Sequence, residues 1–294
     1  MDKKSVLVVG DVMIDRYIHV RTERNAPEAS IPVWDELRKE NRLGGAANVA
    51  HNLKSLGKDD LIVYLAGIVG HEDRKMISRT GIDTILCTGA ETMLKQRYVD
   101  EGGKFLFRSD NKKSFSMDSK QSFKSCLSHF LPGHSFDAVV FSDYDKGTID
   151  EEIVSMLSHR GKFVVVDSKR IDLSLYRGSS FLKLNESEYS AQISRGPYDC
   201  VEELFDGVVV TLGSRGAELR QHDKKRSSQS KYAIDVEHFP TQAADVVDVT
   251  GCGDTHVAAF TFSLLNGHDP RSSVRFANVC ASKVVNLFGT SVPD

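Results

Sequence analysis

Ser5-Val-Leu-Val-Val9, closed by Gly10-Asp11, reads as a strand buried on both faces. The run is continuously apolar, whereas a strand with one wet face alternates polar and apolar residues. Short β-rich runs of the same kind recur at Leu61–Leu65, Ala138–Phe141, Lys162–Val166 and Gly207–Thr211. Segments of helical length lie between them, such as Ala46–Leu56, Ile149–His159 and Glu186–Ile193. Strand and helix in repeated alternation predict an α/β fold with a mostly parallel sheet covered by helices on both faces. Two stretches break the rhythm. Arg16–Arg42 and Thr92–Asp110 carry alternating, charged sequence and predict a small antiparallel flap, with Glu101-Gly-Gly-Lys104 as a hairpin turn. A third hairpin is predicted over Ala217–Phe239, with the polar stretch Asp223–Lys231 as its loop.

The chain has 294 residues, enough for one large domain or two small ones and for a core that needs no disulfide or metal staple. Hydrophobic residues at 40% and charged residues at 27% exclude collagen-like, coiled-coil and largely disordered chains. Basic residues number 38 against 41 acidic ones, so a global field for nucleic acid is absent. Lys224-Lys225-Arg226 then reads as a solvated loop. Five cysteines without a Cys-x-x-Cys pair predict a reduced, cytoplasmic protein. The apolar run Val6–Val9 is too short for a secretory leader, and no stretch of about 20 apolar residues predicts a membrane span. Cys126, His129 and His134 are close in sequence, but no fourth zinc ligand accompanies them.

Four stretches carry chemistry. Asp248-Val-Thr-Gly-Cys-Gly-Asp-Thr255 precedes the apolar segment Val257–Leu265. Glycines before a helix expose backbone N–H groups at its positive end, an anion hole suited to a phosphoryl group. Gly251, Cys252 and Gly253 would form that hole, and Asp254 beside it can act as general base. The plainer alternative is an ordinary helix start capped by Asp254 or Thr255. Gly44-Gly45 opens the segment that carries Asn48, which offers both a donor and an acceptor. Gly10-Asp-Val-Met-Ile-Asp15 puts two carboxylates after a strand end, where ligands of parallel sheets collect. Asp15 is the candidate for sugar hydroxyls, with loop capping as the alternative. In Asn185-Glu-Ser-Glu188, Glu188 is a candidate to orient a hydrated Mg²⁺, while Asn185 suits a helix N-cap. No Walker A loop, no opening Gly-x-Gly-x-x-Gly and no His-Glu-x-x-His is present.

Together these stretches resemble the ribokinase-like (PfkB) sugar kinases, with an early Gly-Gly motif and a late Gly-x-Gly-Asp motif. Within that family the chain is most similar to the D-glycero-β-D-manno-heptose 7-phosphate kinases. The likeness rests on Val9-Gly-Asp-Val-Met-Ile-Asp-Arg-Tyr17, Ala26-Pro-Glu-Ala29, Gly44–Ala50, Ser142-Asp-Tyr-Asp-Lys-Gly147, Val166-Asp-Ser-Lys169 and Asn185–Glu188. It continues through Phe276-Ala-Asn278 and Leu287-Phe-Gly-Thr-Ser291. The resemblance implies one ribokinase-like domain over residues 1–294, a three-layer α/β/α sandwich with a β lid from about 16–42 and 92–110. It implies ATP and Mg²⁺ as co-substrate and cofactor, and leaves a monovalent cation open. It implies Asp254 as the base, and Asn185, Glu186, Ser187, Glu188, Thr211, Gly213, Gly216 and Asn278 around the nucleotide. Asp15, Gly44, Gly45 and Asn48 would bind the sugar, and Lys95, Arg97, Arg108 and Lys146 are candidates for a sugar phosphate. A homodimer through the lid is expected.

The expected reaction is phosphorylation of the C1 hydroxyl of the heptose 7-phosphate, a step toward ADP-heptose and lipopolysaccharide core. Kinases of another sugar or nucleoside, and a catalytically silent binding protein, stay open as alternatives. The chain departs from the family pattern at Cys252, where Ala is usual, and at Ser168, where the heptose kinases have Pro. The nucleotidyltransferase half of the bifunctional heptose enzymes does not follow Asp294, so a second activity is expected on another chain.

Overall fold

The computed structural model describes residues 3–88, 91–111, 115–198, 200–222, 233–241, 249–286, 289–290 and 292. In chain order the first half comprises β1 (Lys4–Gly10), β2 (Val12–Asn25), β3 (Pro32–Gly45), α1 (Ala46–Gly57), β4 (Leu61–Val69), α2 (His71–Ser78), β5 (Asp83–Thr88), β6 (Met93–Val99), β7 (Phe105–Asn111) and α3 (Met117–Phe130). The second half comprises β8 (Phe136–Asp143), α4 (Glu151–Leu157), β9 (Gly161–Ser168), β10 (Phe181–Asn185), α5 (Glu186–Arg195), β11 (Gly207–Thr211), β12 (Ala217–His222), β13 (Ile234–Phe239), α6 (Cys252–Leu265) and α7 (Pro270–Val285).

The large sheet runs β13-β12-β11-β10-β9-β8-β1-β4-β5. Every pairing from β11 to β5 is parallel, and β12 and β13 at one edge are added antiparallel, β12 to β11 and β13 to β12. Alternation along β1 explains why the run is apolar throughout. Val6 and Val8 point into a core shared with α1, α6 and α7, while Leu7 and Val9 join an opposite core with α3 and α4. The two cores make three layers, as expected from the sequence.

The second sheet, ordered β3-β2-β6-β7, is the lid. It combines a β2–β3 hairpin with a β6–β7 hairpin whose turn is closed by the Asp100 and Gly103 N–H groups. The two hairpins join through a parallel β2–β6 pairing, so the lid is not antiparallel throughout. Its strands also run further into the core than Arg16–Arg42, beginning at Val12 and ending at Gly45. Those inner ends are buried because Val12, Ile14 and Leu43 pack into the core with α1, and apolar burial there outweighs any turn signal. No helix among the described residues is long and apolar enough to cross a membrane.

The β12–β13 hairpin matches its prediction; its loop with Lys224, Lys225 and Arg226 lies outside the described residues, as does Asp248. Helix α6 begins at Cys252, well before the apolar run at Val257. Gly251, with φ 82°, takes the left-handed conformation at its N-cap, so Gly253 and Asp254 lie inside the first turn.

Candidate active site

In an open parallel sheet, ligands gather beyond the carboxyl ends where strand order reverses. Here the chain fills β1, β4 and β5 on one side and then β8 to β11 on the other, so the reversal lies between β1 and β8. Asp11 follows β1 and Tyr144 follows β8. The buried Asp11 carboxylate accepts backbone N–H bonds from Tyr144 (2.9 Å), Lys146 (3.0 Å) and Thr148 (3.2 Å). One side chain thus shapes the whole loop after β8. Loop capping, considered above for this acidic pair, falls to Asp11.

Asp254 is 4% exposed and both of its oxygens are held. Asn48 Nδ2 donates to Oδ2 at 2.9 Å, and the Tyr144 hydroxyl donates to Oδ1 at 2.6 Å. A relay fixes the Asn48 amide. Thr255 Oγ1 donates to Asn52 Oδ1, and Asn52 Nδ2 donates to Asn48 Oδ1 and to its backbone carbonyl. With Oδ1 of Asn48 so occupied, its NH₂ faces the carboxylate. Burial pushes the Asp254 carboxyl above the ordinary value, and the Tyr144 and Asn48 bonds pull the other way. The site thus holds an oriented carboxylate of raised basicity, suited to accept a proton from a hydroxyl.

Beneath the start of α6 lies a buried charge cluster. Lys183, 3% exposed on β10, sits 3.3 Å from Asp167, which also binds Lys169 at 3.0 Å. A Cβ on Gly253 would lie 2.8 Å from Lys183 Nζ, so the ammonium abuts the first turn of the helix. Burial alone would push Asp167 up, but the two ammonium groups outweigh it and hold its carboxyl below the ordinary value. Lys169 also reaches Glu188 at 2.8 Å.

Asn185 and Glu188 form a capping box on α5. Asn185 Oδ1 accepts from the Glu188 N–H, and Glu188 Oε2 accepts from the Asn185 N–H. No group of three His, Cys, Asp or Glu among the described residues is placed to cage a metal ion. With both Glu188 oxygens already engaged, the donors fit an ion that keeps its waters and arrives with phosphates. Glu186 and Ser187 are exposed, one paired with Arg215 and the other bonded to Asn185.

Beside the N-terminus of α6 opens a cleft of about 160 Å³. Thr211, Gly213, Gly216, Cys252, Gly253 and Asn278 all line it. Asn185 and Thr211 are register partners at the ends of neighbouring strands. His256 also lines the cleft. Its Nε2 lies 3.1 Å from Asn278 Oδ1, and burial pushes its pKa down to about 4, so the ring is neutral. Because Cys252 faces the cleft through one edge of the site, Cys252→Ala is expected to keep activity within several-fold and to abolish inhibition by thiol reagents. A dead mutant in a steady-state assay would give the thiol a direct role.

Two of the lid cations named as candidates for a sugar phosphate have carboxylate partners within the chain. Mutual repulsion of the two arginines is offset by these partners. Arg97 pairs with the buried Asp15, and Arg108 pairs with Asp110. Asp15 is therefore engaged by Arg97 beside Gly44, where any side chain would collide with its carboxylate. Lys95 lies 4.7 Å above the Tyr144 ring. Lys146 is exposed, and its backbone N–H serves the Asp11 loop.

Lys183 and Asn52 carry the site's geometry without having been singled out, and Asp11 and Tyr144 lay within quoted stretches without a role of their own. Lys183 had a readable signal, a lysine inside the apolar run Phe181-Leu-Lys-Leu184. A cation there demands a buried partner. The roles of Asn52 and Tyr144 depend on contacts across more than 100 residues of chain.

Residues 3–294 match the pfkB family carbohydrate kinase pattern. The chain is 35% identical over 312 residues to the "Bifunctional protein HldE" of Shewanella sp. (strain W3-18-1), covering 99% of this chain and 62% of that protein. It thus spans about 62% of the length of the curated relatives it matches. Phosphofructokinase-2 from Escherichia coli in complex with potassium superposes with TM-score 0.74 at 17% identity, covering 99% of this chain and 95% of that one. Ribokinase from Arabidopsis thaliana, complexed with ribose and ATP, gives TM-score 0.68 at 21% identity, covering 100% and 96%. At those identities the structural likeness establishes the ribokinase-like fold. The sequence match along nearly the whole chain establishes more: the chain belongs to the pfkB family of carbohydrate kinases, phosphotransferases with an alcohol group as acceptor.

Proposed function

We propose that the chain transfers the γ-phosphoryl group of ATP to the C1 hydroxyl of D-glycero-β-D-manno-heptose 7-phosphate. The observation that carries the chemistry is the Asp254 carboxylate, buried, oriented by Asn48 and Tyr144, and set in the first turn of α6. Asp254 would take the proton of the attacking hydroxyl. The first-turn N–H groups at Cys252 and Gly253, with the Lys183 ammonium beside them, would stabilise charge on the transferred group. Phosphoryl transfer asks mainly for positioning and electrostatics, which this arrangement supplies. ATP would occupy the cleft lined by Thr211, Gly213, Gly216 and Asn278. Mg²⁺ would neutralise phosphate charge when bound with ATP, and Glu188 would hold one of its waters.

The heptose assignment rests on the Gly10–Tyr17 and Ser142–Gly147 resemblance and on similarity to a bifunctional relative. One observation favours a second reading, an unphosphorylated sugar. Arg97 and Arg108 already have carboxylate partners, so a substrate phosphate is not needed to offset them. An ADP-release screen over sugars and sugar phosphates, with and without Mg²⁺, separates the two. The heptose 7-phosphate should give the highest kcat/KM, and a higher value for an unphosphorylated sugar would reverse the choice.

A homodimer through the lid is proposed as well. Ile31, Leu37, Phe105 and Phe107 expose 41–58% of their surface on lid strands or the β2–β3 turn, an apolar area that a second copy would cover. Sedimentation equilibrium returning a monomer would exclude it.

A further inference from the structure

The loop after β8 is built to deliver one hydroxyl to one carboxylate. Asp11 anchors it through three backbone N–H groups, the first being that of Tyr144 itself. The Tyr144 ring is flanked by two ammonium groups, Lys95 of the lid at 4.7 Å and Lys169 beyond β9 at 5.4 Å. Its hydroxyl ends 2.6 Å from Asp254 Oδ1. Backbone, ring and hydroxyl are thus each fixed by a different element of the fold.

We propose that Tyr144 is a positioning residue for the reaction: it clamps the base Asp254 in its reactive orientation, sets its basicity, and links that carboxylate to the lid through Lys95. The proposal rests on the reading of Asp254 as base. A carboxylate oxygen has two lone pairs, so Oδ1 can keep the Tyr144 bond while accepting from a substrate hydroxyl. Tyr144 cannot itself take the proton. Burial, and then the nearby Asp254 charge, raise its phenol well above the ordinary value, so it only donates. The other groups facing Asp254 come from separate elements. They are Asn48 on α1, Asp167 on β9, Lys183 on β10 and Lys95 on β6. Among them, Tyr144 and Asn48 are the hydrogen-bond donors, and both stabilise the ionised form.

The direction of the effect follows. A donor to a carboxylate lowers its pKa, so removing the donor raises it. In Tyr144→Phe the ring stays between the two lysines and only the hydroxyl is lost. We expect kcat to fall about tenfold or more, with KM for ATP within about twofold. We expect the acid limb of the kcat profile to move up by about one pH unit, since one charge-assisted bond is worth that much.

A residue with a merely structural role would not move the acid limb. Replacing Tyr144 by 3-fluorotyrosine, a stronger donor of nearly the same shape, should restore turnover and move the limb below that of the wild type. A readout independent of the acceptor is the ¹³C carboxyl titration of aspartate-labelled protein, using the resonance missing from Asp254→Asn. That resonance should titrate higher in Tyr144→Phe and lower with 3-fluorotyrosine, and it keeps the test valid if the phenylalanine variant is too unstable to assay.

Unchanged titration and unchanged kcat in Tyr144→Phe, with Asp254→Asn inactive, would overturn the clamp and leave the base intact. Near-normal turnover in Asp254→Asn would overturn both.

Discussion

Asp254→Asn is expected to lower kcat by about 10²-fold or more, the usual cost of losing a general base. KM for ATP should stay within a few-fold, because the cleft walls at Thr211, Gly213, Gly216 and Asn278 do not depend on that carboxylate. The substitution is nearly isosteric, so Tyr144 can still donate to the remaining oxygen. What is lost is the group that receives the proton. The wild-type enzyme should also show an acid limb in kcat/KM. Asp254 works only when ionised, and burial raises its pKa, so that limb lies above the ordinary carboxylate value of 3.8. Activity should therefore fall as pH drops toward and below the raised value. Steady-state kinetics across pH check both statements. An Asn variant with near-normal turnover, or a profile flat down to pH 3.8, would remove Asp254 from the base role.

Lys183→Met is expected to cost nearly as much, by a different route. The side chain keeps its volume and loses its charge beside the first turn of α6. Removing one preorganised donor to developing charge typically costs about 10²–10³ in kcat. The loss should appear in kcat and in KM for ATP together, since the ammonium faces a group that ATP brings. Stability should suffer too. Asp167 is 1% exposed and would keep Lys169 as its remaining ammonium. Breaking a buried pair by deleting one partner costs about 3–5 kcal/mol. The pH dependence of that loss has a definite sign. Asp167 has a depressed folded pKa, so its contribution is present above the ordinary value of 3.8 and is lost as pH falls through the lower folded value. Lys183→Met should bring the folded pKa up and so weaken that contribution at neutral pH. Thermal melts at pH 7 together with kinetics test it. A variant with wild-type kcat and lower melting temperature would confine Lys183 to a structural role.

The lid cations show what local sequence leaves open. Lys95, Arg97 and Arg108 form a cationic patch in the sequence, and β6–β7 pairing does place Arg97 opposite Arg108. The carboxylates that neutralise two of them come from β2 and from β7 itself. Asp15 is 82 residues away from Arg97 in sequence, and no spacing rule connects them.

What the sequence alone determined is the α/β class, the lid and its hairpins, the strand ends that gather ligands, and the family. These follow from local rules. Continuous apolar runs specify strands buried on both faces, alternating charged runs specify a half-wet sheet, and glycines mark turns and helix starts. Asp254 and Asn48 were legible for the same reason, since each sits in a short glycine-bounded motif. Tertiary structure decided how those residues act. It placed Tyr144 and Asn48 on the two oxygens of Asp254, Lys183 against Gly253, and Asp15 on Arg97. It also turned Glu188 into one half of a capping box that shares a lysine with Asp167. The physical reason is burial. Inside the core each charge or amide must find its partner wherever the chain brings one, and that choice depends on packing across strands rather than on neighbours in sequence.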